Sequence, residues 1–248
     1  MANIGGPRPA KRRLLITSVE SVLLYGAEIW AGALRFEKYR RRLAAVQRRC
    51  ALRVASSYRT VAEPAVLVIA GMLPIDLLAH ERKQVYEAKR SGQDTVDAKR
   101  VAREATLHRW QQRWMEEARG RWTASLIPSL APWLNRKHGE VDYYLTQFLS
   151  GHGYFRAYLF RMGKATPPMC GYGCQDAGDS AEHTLFRCGR WAAERNALQQ
   201  EVGPITPDNI VGVMLQTLQT WSAVANYVRR LLQRKKKEES RWNPLNTV

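Results

Sequence analysis

The sequence predicts a mainly α fold: a helical bundle, then a small Cys/His metal module, then further helices. Three observations predict it. Apolar residues recur at spacings of three and four along most of the chain, the period of a helix with one buried face. Strand-type alternation is nearly absent. Finally, Cys170, Cys174, His183 and Cys188, separated by three, eight and four residues, form a complete ligand set for one closed, tetrahedral structural zinc.

Taken in order, residues 3–8 read as a loop entering a helix that runs from Lys11 to Trp30, with Ile16, Val19, Leu23, Ala27 and Trp30 on one side. A second helix carries the apolar stripe Phe36, Tyr39, Leu43, Val46 and Cys50. On a helical wheel Arg41 and Arg48 lie opposite that stripe, with Lys38 and Arg49 on its flank. Ser57–Thr60 reads as a turn, and Thr60 with Glu63 as a capping box opening a short apolar helix that Gly71 stops. Pro74 starts the next helix, which ends at Gly92. Asp94 caps a long polar helix running to Gly120, whose Trp110 and Trp114 are core anchors or, alternatively, base-stacking platforms.

Pro128 and Pro132 mark a connection and a soft domain boundary. A helix with Val141, Leu145, Phe148 and Leu149 stops at Gly151–Gly153, and Tyr154–Met162 mixes aromatics with Arg156 and Arg161. Beyond the Cys/His cluster, Trp191–Val202, Ile210–Leu218 and Trp221 to about Arg234 are helical. The run Arg234–Lys237 is expected to fray into solvent.

The cluster holds three of the four cysteines, an odd number that disulfides cannot use up, and His183 completes the set. The alternative is a loop with incidental thiols, or one disulfide and a spare. Gly171, Gly173 and Gly178 are expected to let the backbone turn around the ion. A closed four-ligand site leaves no position for water, which favours a structural metal over a catalytic one. Asp176 and Asp179, inside the loop, read as solvated turn residues. His80, His108, His138 and His152 read as surface or packing residues.

Charge narrows the function. The chain carries 39 Lys/Arg against 22 Asp/Glu, a net +17, which favours a polyanionic partner over a merely soluble basic protein. Residues 1–53 hold twelve basic residues against three acidic ones. Like charges on one helix face repel, so the basic helix is an electrostatic liability without phosphate, unless it is simply solvated. Glu20 and Glu28 interrupt the first apolar run, so no signal peptide is predicted. No run of about twenty apolar residues would span a membrane, and the expected location is intracellular, with no membrane partner.

Asn3–Arg8, Leu24–Trp30, Arg40–Arg49, Tyr58–Val61, Ala70–Asp76, Gly120–Trp122, Leu145–Gly153 and Glu182–Cys188 together resemble one family over nearly the whole chain. It is the region downstream of the polymerase palm in non-LTR retrotransposon reverse transcriptases, and most of all in the arthropod type-1 elements that insert into ribosomal RNA genes. The resemblance implies a basic helical thumb-like region (1–127), a helical connector (128–166), a CCHC zinc knuckle (167–190), and C-terminal helices with a basic tail (191–248). It also implies a nuclear location and the C-terminal part of a polyprotein. Its nucleic-acid contacts would fall on Lys38, Arg41, Arg42, Arg48, Arg49, Arg53, Arg156 and Arg161. The eight-residue gap before His183 is long for a retroviral knuckle, so that base-binding mode does not transfer.

No catalytic residue is predicted. Asp76, Asp94, Asp97, Asp142, Asp176, Asp179 and Asp208 include no adjacent pair, so the two-Mg²⁺ chemistry of reverse transcription belongs to a polymerase domain absent from this chain. The endonuclease is absent likewise. The sequence therefore points to a fragment gripping RNA or RNA/DNA, or a DNA target, during target-primed reverse transcription. The rival is a domesticated or decayed, zinc-stabilised interaction protein. Without a palm to pack on, part of the apolar face of residues 14–30 is expected to be exposed.

Overall fold

The computed structural model describes residues 7–174 and 177–242; Asn3–Gly6 and Asp176, which carry expectations above, lie outside the described residues. The first helix, α1 (Pro9–Leu23), opens on a proline whose fixed φ suits a helix start. It does not continue to Trp30. Gly26 takes a left-handed φ of +62°, and the chain restarts as α2 (Ala27–Trp30) and a 3₁₀ turn, Ala31–Arg35. Trp30 fixes the corner, its Nε1 donating to the Tyr25 carbonyl at 2.7 Å.

The basic helix is α3 (Glu37–Val54). Its C-terminal half buries Gln47, Cys50, Ala51, Leu52 and Val54, while Phe36, Tyr39 and Val46, expected on the buried stripe, are exposed. Next comes α4 (Glu63–Ala70), buried from Ala65 onward and closed by Gly71 at φ +63°. Its capping box does not form. The Thr60 hydroxyl instead bonds His152 Nδ1 at 3.0 Å and the Tyr158 hydroxyl at 2.7 Å, so the helix starts later, at Glu63, with Ala62 as an N-cap that offers no side-chain bond.

α5 (Ile75–Arg90) packs along α6 (Thr95–Glu116), whose N-terminus is capped by Asp94 Oδ1 accepting from the backbone of Val96 and Asp97. Arg113 clamps Asp76 with two bonds, at 2.8 and 3.1 Å, between the same two helices. Short helices follow: α7 (Arg121–Leu126), α8 (Leu130–Leu134), α9 (Tyr143–Ser150) and α10 (Arg156–Arg161). After the metal loop come a π-helical turn (His183–Arg187), a 3₁₀ turn (Gly189–Trp191), α11 (Ala192–Val202), α12 (Ile210–Gln216) and α13 (Leu218–Trp242). The described residues contain no strand, only an isolated antiparallel bridge between Met169 and Gly178.

One apolar core runs from Cys50 to Leu232, with a smaller cluster around Leu24, Leu34 and Ile75. Trp110 and Trp114 belong to the large core, and Trp114 Nε1 donates to the Ile127 carbonyl at 2.8 Å, so they anchor packing and present no face to a base. Gly153 is where backbone approach demands glycine, since a Cβ there would sit 2.2 Å from Gln147 Oε1. On the opposite side of the molecule's logic stand Leu14, Leu15, Val22, Tyr25 and Ile29. They are 63–85 % exposed, the uncovered apolar face expected for residues 14–30.

Candidate metal centre and nucleic-acid interface

The ligating atoms of Cys170, Cys174, His183 and Cys188 all lie within 4.8 Å of one another. The Cys170–Cys188 and Cys174–Cys188 sulfur separations are 3.7 and 3.8 Å. Tetrahedral thiolates about 2.3 Å from one ion stand about 3.8 Å apart, whereas a disulfide closes to about 2 Å. All four cysteines are free thiols, which removes the disulfide alternative. His183 Nε2 is buried without a hydrogen-bond partner, as a nitrogen reserved for an ion would be. The residues present therefore fit one tetrahedral metal ion.

Local structure explains how distant residues converge. Cys170 N donates to the Ala177 carbonyl at 2.8 Å and Asp179 N to that of Pro168 at 3.0 Å, folding the loop on itself. The π-helical turn closes when Cys188 N donates to the His183 carbonyl at 2.7 Å, bringing the last two ligands round to the first pair. Among Gly171, Gly173 and Gly178, Gly173 alone is shown in a left-handed conformation, and a Cβ at Gly173 or Gly178 would meet nothing within 4 Å. Backbone conformation at one position, rather than steric room around an ion, is what the loop requires. Burial raises the Cys170 thiol and pushes that of Cys188 up to about 12, while backbone donation from Gly189 lowers that of Cys174. Burial also lowers His183, which favours the neutral imidazole that a metal needs.

Two expectations are overturned here. Asp179 is not a solvated turn residue but 1 % exposed, its carboxylate bonded to Thr184, Lys235 and the backbone of Arg156. The run Arg234–Lys237 does not fray: α13 continues through it. Lys235 is fully buried between Asp179 and Glu239, Arg234 pairs with Glu194 and Glu238, and Lys236 lies over the Tyr154 ring. Sequence reasoning missed this buried triad because its partners are 56 residues apart.

The basic residues singled out by sequence divide into two groups. Arg41 pairs with Glu37 at 2.7 Å, and Arg40 pairs with the other oxygen of the same carboxylate. Arg48 donates to the carbonyls of Arg59 and Val61, stitching α3 to the turn before α4. Arg156 donates to the carbonyls of Thr166 and Pro167 and so shapes the metal loop. Arg161 is exposed beside the Tyr158 ring. By contrast Lys38, Arg42, Arg49 and Arg53 are exposed and make no side-chain hydrogen bond or ion pair among the described residues. They fall within roughly 60° of one another on α3, a row about 22 Å long. A groove of about 770 Å³ runs beside this helix, with Arg49 and Arg113 on its walls.

Comparison with known proteins gives consistent relatives. The chain is 28 % identical over 187 residues to the Retrovirus-related Pol polyprotein from type-1 retrotransposable element R1 2 of Nasonia vitripennis, covering 69 % of this chain and 45 % of that protein. It is 28 % identical over 208 residues to the Putative 115 kDa protein in type-1 retrotransposable element R1DM of Drosophila melanogaster, covering 77 % and 20 %. It is 29 % identical over 180 residues to the Retrovirus-related Pol polyprotein from type-1 retrotransposable element R1 of Bradysia coprophila, covering 66 % and 18 %. The chain thus spans less than half the length of these curated relatives. No family model and no solved structure matches it. Its homologues are type-1 non-LTR retrotransposon Pol polyproteins of arthropods.

Proposed function

We propose, from homology to the R1 Pol polyproteins as the premise, that this chain is a nucleic-acid-gripping element that holds RNA or an RNA/DNA hybrid by its phosphates. The single observation that carries the reading is the row Lys38, Arg42, Arg49 and Arg53, which no acid in the described chain neutralises. Like charges at i and i+4 cost a helix some tenths of a kcal/mol per pair, and a phosphate strand relieves that cost. About 22 Å of duplex axis presents about six phosphates per strand, enough for every cation in the row. Contacts of this kind set register and carry no sequence information.

One zinc ion at Cys170, Cys174, His183 and Cys188 completes the reading; bound there it is a structural cross-link that holds the loop closed. The chain's own residues supply three thiols and a neutral imidazole, and the metal displaces the thiol protons. The exposed apolar face at Leu14, Val22, Tyr25 and Ile29 supports a second element: docking onto the polymerase part that a longer Pol polyprotein provides.

The test is a titration of single-stranded RNA and of an RNA/DNA hybrid at several salt concentrations, with native mass spectrometry of the same preparation. The reading expects one zinc per chain and a log–log salt slope reflecting several released counterions. One zinc with no measurable affinity for either polymer would leave the zinc-stabilised interaction protein as the better account.

A further inference from the structure

The metal loop is not self-contained, and the residue that ties it to the rest of the protein is Asp179. Three donors from different parts of the chain meet on this one side chain. Its Oδ1 accepts from the Thr184 hydroxyl at 2.6 Å, next in sequence to the ligand His183. Its Oδ2 accepts from the Arg156 backbone at 2.7 Å, satisfying an otherwise free N–H at the start of α10, and from Lys235 Nζ at 2.6 Å. Its own backbone is held from both sides: N donates to Pro168, and the carbonyl accepts from Ala157. The following residue, Ser180, accepts through Oγ from His183 N at 3.1 Å and through its carbonyl from Thr184 N at 2.9 Å. The start of the segment that carries His183 is thus held by residues 179–180, while Tyr227 Oη, donating to the Leu185 carbonyl at 2.6 Å, holds its middle.

A carboxylate this deeply buried is tolerable only with a cation and several donors around it. Lys235 supplies the cation and is itself fully buried, with Glu239 as second partner and the Tyr172 ring, inside the metal loop, 5.5 Å away. The position of the loop is therefore locked from α13, 56 residues downstream.

We infer that Asp179 is a positioning residue of the metal centre: it aims His183 through Thr184 and Ser180, and Lys235 fixes it in place, so α13 sets the affinity of the site. This rests on the metal reading above and goes beyond it, because outer groups of this kind tune a site that the four ligands alone do not define.

The experiment uses the full chain and Zn²⁺ in competition with a chromophoric chelator, with the Co²⁺ absorption spectrum as a second readout. Asp179→Asn is expected to weaken Zn²⁺ binding about 10–100-fold and to shift the Co²⁺ bands, with helical circular dichroism retained below the melting temperature. Thr184→Val removes only the link to His183 and is expected to weaken binding in the same direction by less. Wild-type Zn²⁺ affinity and an unchanged Co²⁺ spectrum in both variants, with only the melting temperature lowered, would reduce Asp179 to a packing residue. If Asp179→Asn does not fold, Thr184→Val decides alone, and an unchanged affinity overturns the proposal. A wild-type chain that takes up neither ion fails earlier and removes the metal reading itself.

Discussion

Two basic stretches, one on α3 and one near the end of α13, have similar composition and opposite fates. On α3, Lys38, Arg42, Arg49 and Arg53 stand exposed and unneutralised. On α13, Arg234 meets Glu194 and Glu238, Lys235 is sealed between Asp179 and Glu239, and Lys236 covers Tyr154. The difference lies in what each helix packs against. α13 crosses the metal loop and α11, which bring carboxylates to it, whereas the free row on α3 faces away from Glu37, the acid of its own first turn. Positive charge alone does not mark a binding surface: on α13 it is taken up within the fold.

The largest test of this contrast is a matched pair of substitutions. Lys235→Met strands Asp179 and Glu239 as buried, uncompensated carboxylates and is expected to cost about 3–5 kcal/mol of stability. Lys38→Met on the exposed row is expected to change stability by less than about 0.5 kcal/mol. Denaturant titration of both variants reads the difference directly, and equal effects would erase the distinction between the two stretches.

His152 is stacked 4.7 Å from Tyr158 and bonded to Thr60. Burial, with Arg161 adding repulsion, lowers its pKa from 6.5 to about 4. The unfolded chain therefore binds this proton first. The contribution of neutral His152 is intact above pH 6.5 and is lost as pH falls toward 4, about 2 kcal/mol of it between pH 7 and 5. His152→Phe keeps the ring stack and should flatten that part of the stability profile; an acid limb as steep as wild type would place the sensitivity elsewhere.

Smaller effects belong to the row itself. Converting Lys38, Arg42, Arg49 and Arg53 together to Gln removes two like-charge pairs at i and i+4, and is expected to raise the folded chain's stability by up to about 1 kcal/mol. A loss of stability would mean these side chains hold the fold after all. Glu37→Gln breaks only exposed pairs with Arg40 and Arg41, with a stability change below about 0.5 kcal/mol, and should steepen the salt slope of RNA binding by about 1.4 units as both arginines are freed.

The helices and the metal cluster were legible in the sequence because both are local. Spacings of three and four set the helices, and the Cys/His spacing set the ligands. What stayed hidden depends on contacts between distant segments. Nothing near Asp179 in sequence announces Lys235, so a buried hub reads as a polar turn. The wheel placed Arg48 opposite the apolar stripe, yet it cannot reveal that the Arg59 and Val61 carbonyls lie within its reach. The stripe at Phe36, Tyr39 and Val46 has the right period for burial, yet no other element among the described residues buries it. Gly26 carries the break between α1 and α2 in its left-handed φ, a signal the apolar periodicity masked.

The most direct measurement is the salt dependence of RNA binding for two four-fold variants of the full chain. One carries Gln at Lys38, Arg42, Arg49 and Arg53; the other carries Gln at the engaged Arg40, Arg41, Arg229 and Arg234. The account predicts that the first loses about three units of log–log slope on single-stranded RNA, while the second keeps the wild-type slope to within about one unit. Equal losses in both variants, or a wild-type slope in the first, would contradict it.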